Sequence, residues 1–328
     1  MTIYLLEYRE AKKIYHNLPS NLKIPGIDPY YVRNDAINYK NVAPVYLLYE
    51  DNEKKWIHNC LLGDVMNTQY KDIFSCYGYG GPVSNSEDKD FIRDANEAYL
   101  SWASNHNVIA EFLRFHPLLQ NSRFYFADSS FNRLTVMVDL RVDDIFALYK
   151  KRTRRDIRRS YRMGVSVILN DKKYFPESFK TLYGNTMKRK LADNFYFFQD
   201  EYIDQLVNNK ITFVVTAIVE KKVVASAIFL ISGDYMEYHL SGINDIGLLY
   251  DANKALLHEA MLYGKKLGVK FAHLGGGASQ NDNDLLLLFK KGFSQNLTEY
   301  HIGKRILNQD IYDRLTNSKK STKLLHWR

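Results

Sequence analysis

Three strands in immediate succession constrain this chain most. Ile211–Val219, Val223–Ile231 and Tyr235–Ser241 are rich in β-branched and aromatic residues. The polar turns Glu220-Lys221-Lys222 and Ser232-Gly233-Asp234 join them. Turns this short allow only antiparallel neighbours, so the segment is a meander. A helix-periodic stretch follows from about Leu249 to Leu267 and is stopped by Gly268. The apolar strand Val269–Leu274 then runs into Gly275-Gly276-Gly277. A meander followed by a strand–helix–strand crossover is not a dinucleotide-binding order. Neither a G-x-G-x-x-G fingerprint after a strand nor a P-loop lysine occurs.

The flanking pattern extends this unit. Upstream lie a strand over Leu134–Leu140, a helix over Val142–Met163 closed by Gly164, a strand over Val165–Leu169, and helices over Tyr174–Lys190 and Asp200–Asn208. Downstream come a helix over Asp284–Lys291, a strand over Leu297–Ile302 and a helix over Asp310–Ser318. The first third of the chain mixes short strands with turns. Val45–Tyr49 and Trp56–Leu62 flank a polar turn at residues 50–54. Tyr77-Gly-Tyr-Gly-Gly-Pro82 stops the chain before a helix over Asp88–Asn105 and a strand over Val108–Phe115. At 328 residues there is material for two domains.

Composition limits the function classes. With 46% hydrophobic and 25% charged residues, the chain is globular rather than disordered. Two cysteines, Cys60 and Cys76, are too few for a disulfide framework and read as reduced core thiols. No ligand cluster at metal spacing accompanies them, so no metal is expected. The opening Met1–Glu7 lacks the shape of a signal peptide, and the longest apolar run, Val223–Ile231, is too short to span a membrane. The expectation is a cytoplasmic protein. Net charge is +8 and unevenly spread: residues 150–162 read KKRTRRDIRRSYR, and the tail from Lys304 is also basic. Such a block either attracts phosphate or forms a solvated helix face.

Several strings in order resemble the FemABX-type aminoacyl transferases and their relatives in the GNAT superfamily. They are Tyr77-Gly-Tyr-Gly-Gly-Pro82, Glu111-Phe-Leu-Arg-Phe-His116, Thr153-Arg-Arg-Asp-Ile-Arg158, Thr186-Met-Lys-Arg189 with Phe195-Tyr-Phe-Phe198, Tyr238-His-Leu-Ser-Gly242, His273-Leu-Gly-Gly-Gly277 and Phe289-Lys-Lys-Gly-Phe293. The resemblance implies an α/β (α+β) fold of two GNAT-like domains in tandem, each a mixed, mostly antiparallel sheet flanked by helices. It places the first domain at 1–133, joined by the segment 304–328, and the second at 134–303. It also implies transfer of an acyl or aminoacyl group to an amine of a cell-envelope precursor, either a nucleotide-linked amino sugar or a peptidoglycan peptide. The donor is acyl-CoA or aminoacyl-tRNA, and peripheral contact with a membrane is compatible with such an acceptor. The long helical arm of some members has no counterpart here, which weakens the case for transfer RNA. A non-catalytic RNA-binding protein using the arginine block is the rival from another class.

The same resemblance singles out residues. Lys290 matches a lysine near the donor's reactive end, where an ammonium would stabilise an oxyanion; otherwise it is a surface lysine beside Lys291. His239 is the candidate general base or else a hydrogen-bonded core residue. Strict alternation puts His239 and Ser241 on one face and Tyr238 on the other. Tyr238 and Ser241, with Arg189, Tyr196, Tyr79 and Arg114, are expected to contact substrate; Arg189 could equally form an internal ion pair. Arg154, Arg155, Arg158, Asn253, Phe289 and Gly275, Gly276 and Gly277 are expected around the donor and its phosphates. The glycines could instead make only a tight turn.

Overall fold

The computed structural model describes residues 2–172, 175–316, 324, 325 and 327. Tyr174, Asn317 and Ser318, assigned above to helices, lie outside them. Internal contacts divide the chain into two compact units, Met1–Asn132 with Glu299–Arg328, and Arg133–Thr298.

In the first unit the elements run β1 (Tyr4–Leu5), α1 (Tyr8–Asn17), α2 (Pro29–Ala36), β2 (Val42–Asp51), β3 (Lys54–Asp64), β4 (Lys71–Phe74), β5 (Val83–Ser84), α3 (Lys89–Asn105) and β6 (Val108–Arg114). The β2–β3 hairpin is longer than alternation suggests. Its ladder continues into the charged residues through the pairs Glu50–Lys55 and Asp51–Lys54, and Asn52 takes the left-handed turn position with φ 55°. Opposite charges facing each other across strands keep the ladder intact where a loop was expected. Asp88 caps α3 by accepting from the N–H groups of Asp90 and Phe91. Helices α1 and α2 were not foreseen.

The second unit holds most of β7 (Ser129–Asp139), then α4 (Ile145–Leu148), α5 (Lys151–Arg162), β8 (Ser166–Leu169), α6 (Phe175–Arg189), α7 (Asp200–Val207), β9 (Thr212–Val219), β10 (Lys222–Ser232), β11 (Tyr235–Ile243), α8 (Asp245–Leu249), α9 (Ala252–Lys266), β12 (Phe271–Gly276) and α10 (Leu285–Lys290). Its strands lie in the order β7-β12-β11-β10-β9-β8, with β11 and β12 parallel and the other pairs antiparallel. The meander is therefore present. Its buried face gathers Val215, Ala217, Ala225, Ala227 and Phe229 against Ala255, Leu256 and Ala260 of α9.

The helix expected over Val142–Met163 is broken in two. Tyr149 and Lys150 are extended between α4 and α5, because the Tyr149 ring turns into the core beside Phe293 (5.1 Å) and the Lys150 N–H donates to Gly292. The helix expected from about Leu249 is α9, which begins at Ala252 behind Asp251 at φ 54°, and the short helix α8 precedes it. The chain returns to the first unit with most of β13 (Leu297–Ile306), which pairs antiparallel with β6, and with α11 (Gln309–Thr316).

Candidate active site

The parallel pairing of β11 with β12 lasts only from Tyr235–Glu237 against Phe271–His273. Beyond it β11 stays with β10 to Ile243, and β12 stays with β7 to Gly276. The two strands therefore part, leaving main-chain groups on their facing edges without strand partners. Each strand is irregular near the fork. β11 carries an extra residue, His239, opposite the Ile228–Phe229 step, and β12 carries Leu274 opposite the Met137–Val136 step. Bulges of this kind re-aim side chains and end pairing.

The bulge corrects the alternation expected along β11. Met236 and Gly242 would share a face in a regular strand. Instead Met236 packs on Gly264 of α9, whereas a Cβ on Gly242 would meet the main chain of α6 at Leu182 and Tyr183. Tyr238 consequently stacks on Phe229 (5.3 Å) and shares a hydrogen bond with Ser241, and burial pushes its phenol up to about 12. His239 points the other way, with Nε2 3.0 Å from the Tyr202 hydroxyl on α7. Burial holds its imidazole down at about 3. A base this weak is poorly matched to an ammonium at neutral pH.

Lys290 is the last residue of α10 and is only 7% exposed. Its Nζ donates to the Gly276 carbonyl at the end of β12 (2.7 Å). Burial, with further help from the nearby charge of Lys190, lowers its pKa from the usual 10.5 to about 7; Asp284 acts in the opposite sense and Arg133 with Lys190. Asp284 organises this corner. Its Oδ1 caps α10 by accepting from Leu286 (2.9 Å) and Leu287 (3.1 Å), and its Oδ2 accepts from the Ser279 N–H and hydroxyl (3.0 Å each). Partial burial opposes its charge, but the N–H groups of Leu287, Ser279 and Ala278 outweigh this and hold the carboxyl at about 2.

That carboxylate also accounts for the triple glycine. A Cβ on Gly277 would sit 2.6 Å from Asp284 Oδ1, and Gly275 takes φ +76°. The Gly276 and Gly277 carbonyls accept from Lys290 and from Arg133 Nη1 (2.8 Å). The close approach expected of a phosphate is thus made by the chain's own carboxylate.

The remaining expected residues are dispersed. Arg189 bonds Asp245 (3.1 Å) and the Ile243 carbonyl (2.9 Å), and so ties α6 to α8. Tyr196 is 39% exposed and lies edge-on to Phe195. Phe289 packs edge-on to Phe293 in the core (5.7 Å). Asn253 is the second residue of α9, with its Oδ1 buried and without a hydrogen-bond partner. Arg154, Arg155 and Arg158, with Lys151 and Arg152, line an open concavity of about 830 Å³ on α5. Tyr79 and Arg114 belong to the first unit: Tyr79 lies edge-on to His116 and Tyr300, and Arg114 bonds the Ser75 carbonyl (3.3 Å).

The structure therefore brings Lys290 together with Gly275–Gly277, and gathers Tyr238, His239 and Ser241 on the parting strand. Sequence reasoning missed Asp284, Arg133, Lys190 and Tyr202. Only Asp284 left a trace, as an acidic residue at the start of a helix. Among the described residues no three His, Cys, Asp or Glu side chains form a metal-binding group.

The buried lysine makes a prediction independent of substrate. Lys290 titrates near 7 when folded and near 10.5 when unfolded, so between these values the unfolded chain holds a proton that the fold lacks. Its contribution to stability therefore rises with pH across that window, by at most about 1.4 kcal/mol per unit. Urea unfolding of Lys290→Met at a series of pH values should show this rise flattened. An unchanged slope would mean that the ammonium is not buried.

No family model and no curated protein matches the sequence. Solved structures do match. A crystal structure of FemX shares 12% identity over 96% of this chain and 100% of its own, with a TM-score of 0.74. The C-terminal domain of a provisionally assigned lysylphosphatidylglycerol synthetase from Agrobacterium fabrum shares 12% identity over 94% of this chain and 97% of its own, at 0.61. L-PGS from Bacillus licheniformis shares 14% identity over 81% of this chain and 84% of its own, at 0.54. The chain has a mixed α/β fold like that of FemX. At these identities the likeness is one of fold.

Proposed function

We propose that this protein is an N-acyltransferase that moves an acyl or aminoacyl group from an activated donor to the amine of a cell-envelope precursor. The observation that carries the reading is Lys290, a buried amine with a pKa of about 7 beside the fork of β11 and β12. The neighbours' names support aminoacyl transfer in kind, since one is the C-terminal domain of a provisionally assigned lysylphosphatidylglycerol synthetase.

In this reading the neutral Lys290 amine keeps one N–H on Gly276 and offers its lone pair to the acceptor ammonium. The freed amine attacks the donor's thioester or ester carbonyl. Main-chain N–H groups in the fork and the newly formed Lys290 ammonium stabilise the oxyanion. The carbon–sulfur or carbon–oxygen bond then breaks, the leaving thiolate or alkoxide takes the proton held by Lys290, and the surplus proton of the attacking nitrogen passes to the freed Lys290 amine and from there to solvent. Lys290 is thus base as well as oxyanion partner, a role His239 fills poorly at a pKa of about 3. Positioning supplies much of the rate.

Labelled acetyl-CoA and labelled aminoacyl-tRNA, each offered with a nucleotide-linked muramoyl peptide, test the reading and separate the donors. Transfer of label to the peptide amine from one donor, without an acyl-enzyme, is the expected result. An accumulating acyl-enzyme would rule out the direct mechanism. Loss of function on changing the α5 arginines but not Lys290 would favour the RNA-binding rival.

A further inference from the structure

The basic concavity on α5 adjoins a patch that a soluble surface does not explain. On α8, Ile246, Leu248 and Leu249 are 44%, 53% and 64% exposed. Arg159 on α5 joins the two features: its guanidinium lies 3.3 Å from the Leu249 carbonyl and 3.6 Å from the Asp251 carboxylate. On the far side the Arg189–Asp245 pair ties α8 to the end of α6, next to Leu191, which is 92% exposed. Three aliphatic side chains on one short helix, flanked by a row of cations, are the composition of an interfacial surface.

The carboxylates in this region are already engaged. Asp156 is buried and meets Lys254 (2.8 Å), Arg155 (3.1 Å) and Arg152 (3.8 Å). Asp251 meets Lys254 (2.8 Å) as well as Arg159, and Asp245 meets Arg189. Glu259 accepts from the Tyr161 hydroxyl (2.5 Å). Lys151, Arg154 and Arg158 share the open concavity, and Arg158 lies over the Phe146 ring (5.1 Å). Lys151 and Arg158 are exposed and Arg154 is half-buried.

We propose that α5 and α8 form a docking surface for an anionic lipid bilayer, with lipid phosphates meeting the α5 cations and the α8 side chains entering the headgroup boundary. Charge complementarity selects a polyanion, and the aliphatic residues select lipid over nucleic acid. Leucine and isoleucine offer no ring on which a base stacks, whereas they gain by leaving water at a membrane surface. This inference stands apart from the transferase reading, because binding is measured without substrate.

Sedimentation of the full chain with phosphatidylglycerol–phosphatidylcholine vesicles in about 0.1 M salt tests it. Binding to these vesicles, with little to pure phosphatidylcholine, is expected. Arg154→Gln with Arg158→Gln should weaken partition roughly fivefold per charge removed. Leu248→Ser with Leu249→Ser should weaken it about tenfold or more; both positions are exposed, and circular dichroism checks the fold. Wild-type partition by the serine variant would reduce the surface to simple charge adsorption and overturn the proposal. So would displacement by millimolar inorganic phosphate, which marks a pocket for free phosphate. A tRNA shift that needs the arginines, without vesicle binding, would assign the surface to RNA instead.

Discussion

Lys290→Ala lowers turnover by about 10²–10⁴, the range expected when a general base is lost, while leaving substrate binding comparatively little changed. The informative comparison is Lys290→Arg. A guanidinium keeps a positive charge but does not give up its proton in a protein, so it cannot serve as the base. If Lys290 acts through its neutral form, arginine fails to restore activity. If its only task is to stabilise an oxyanion, arginine recovers part of the rate. The pH profile has a definite sign. The neutral amine grows in as pH passes about 7, so wild-type kcat rises through that region and levels above it. A rate that falls through the same region would assign the work to the ammonium. Single-turnover kinetics of the two variants and the wild type, from pH 6 to pH 9, decide between these outcomes.

The second large effect lies in the first unit and concerns folding. Glu111 on β6 is fully buried and accepts from Tyr99 (2.5 Å), Tyr125 (2.8 Å) and Arg305 Nε on β13 (2.5 Å). Arg305 also donates to Asn96 (3.0 Å) and lies over the Tyr125 ring (4.9 Å). His58 is sealed in the same neighbourhood, and burial together with the Arg305 charge holds its ring down at about 3.

Removing one partner of such a pair leaves a charge buried and uncompensated, which costs about 3–5 kcal/mol. Arg305→Met should therefore destabilise the first unit by about that amount. The double replacement Glu111→Leu with Arg305→Met should recover a large part of the loss, because no orphan charge remains. Urea unfolding followed by tryptophan fluorescence reads this selectively. Trp56, Trp102 and Trp327 all belong to the first unit. A loss below about 1 kcal/mol in the single variant would show the pair to be solvated.

What the sequence disclosed follows from the range of the interactions involved. The meander was legible because each of its strands carries its own alternation and its turns are short. The break at Tyr149 was not, since helical periodicity continues through it. Only the packing of Tyr149 against Phe293, far along the chain, pulls the backbone out of line there. The face of Ser241 was misread, while that of His239 opposite Tyr238 held, because a period of two presumes a regular strand and a single extra residue reverses every face beyond it. Lys290 could be singled out by motif. Its burial depends on Gly276, and the folding of the glycine loop around Asp284 is visible only in three dimensions. The Glu111–Arg305 pair joins residues 194 positions apart, and no local pattern connects them.

One titration bears on the mechanism more directly than any other. The protein is labelled with lysine carrying an isotopic label at the ε-carbon, and the Lys290 resonance is assigned by its disappearance in Lys290→Met. That signal should move with a midpoint near pH 7, as a largely desolvated amine poised to exchange a proton requires. A midpoint near 10.5, the value of a lysine in water, would leave the site with a permanently charged side chain and remove the base on which the proposed transfer depends.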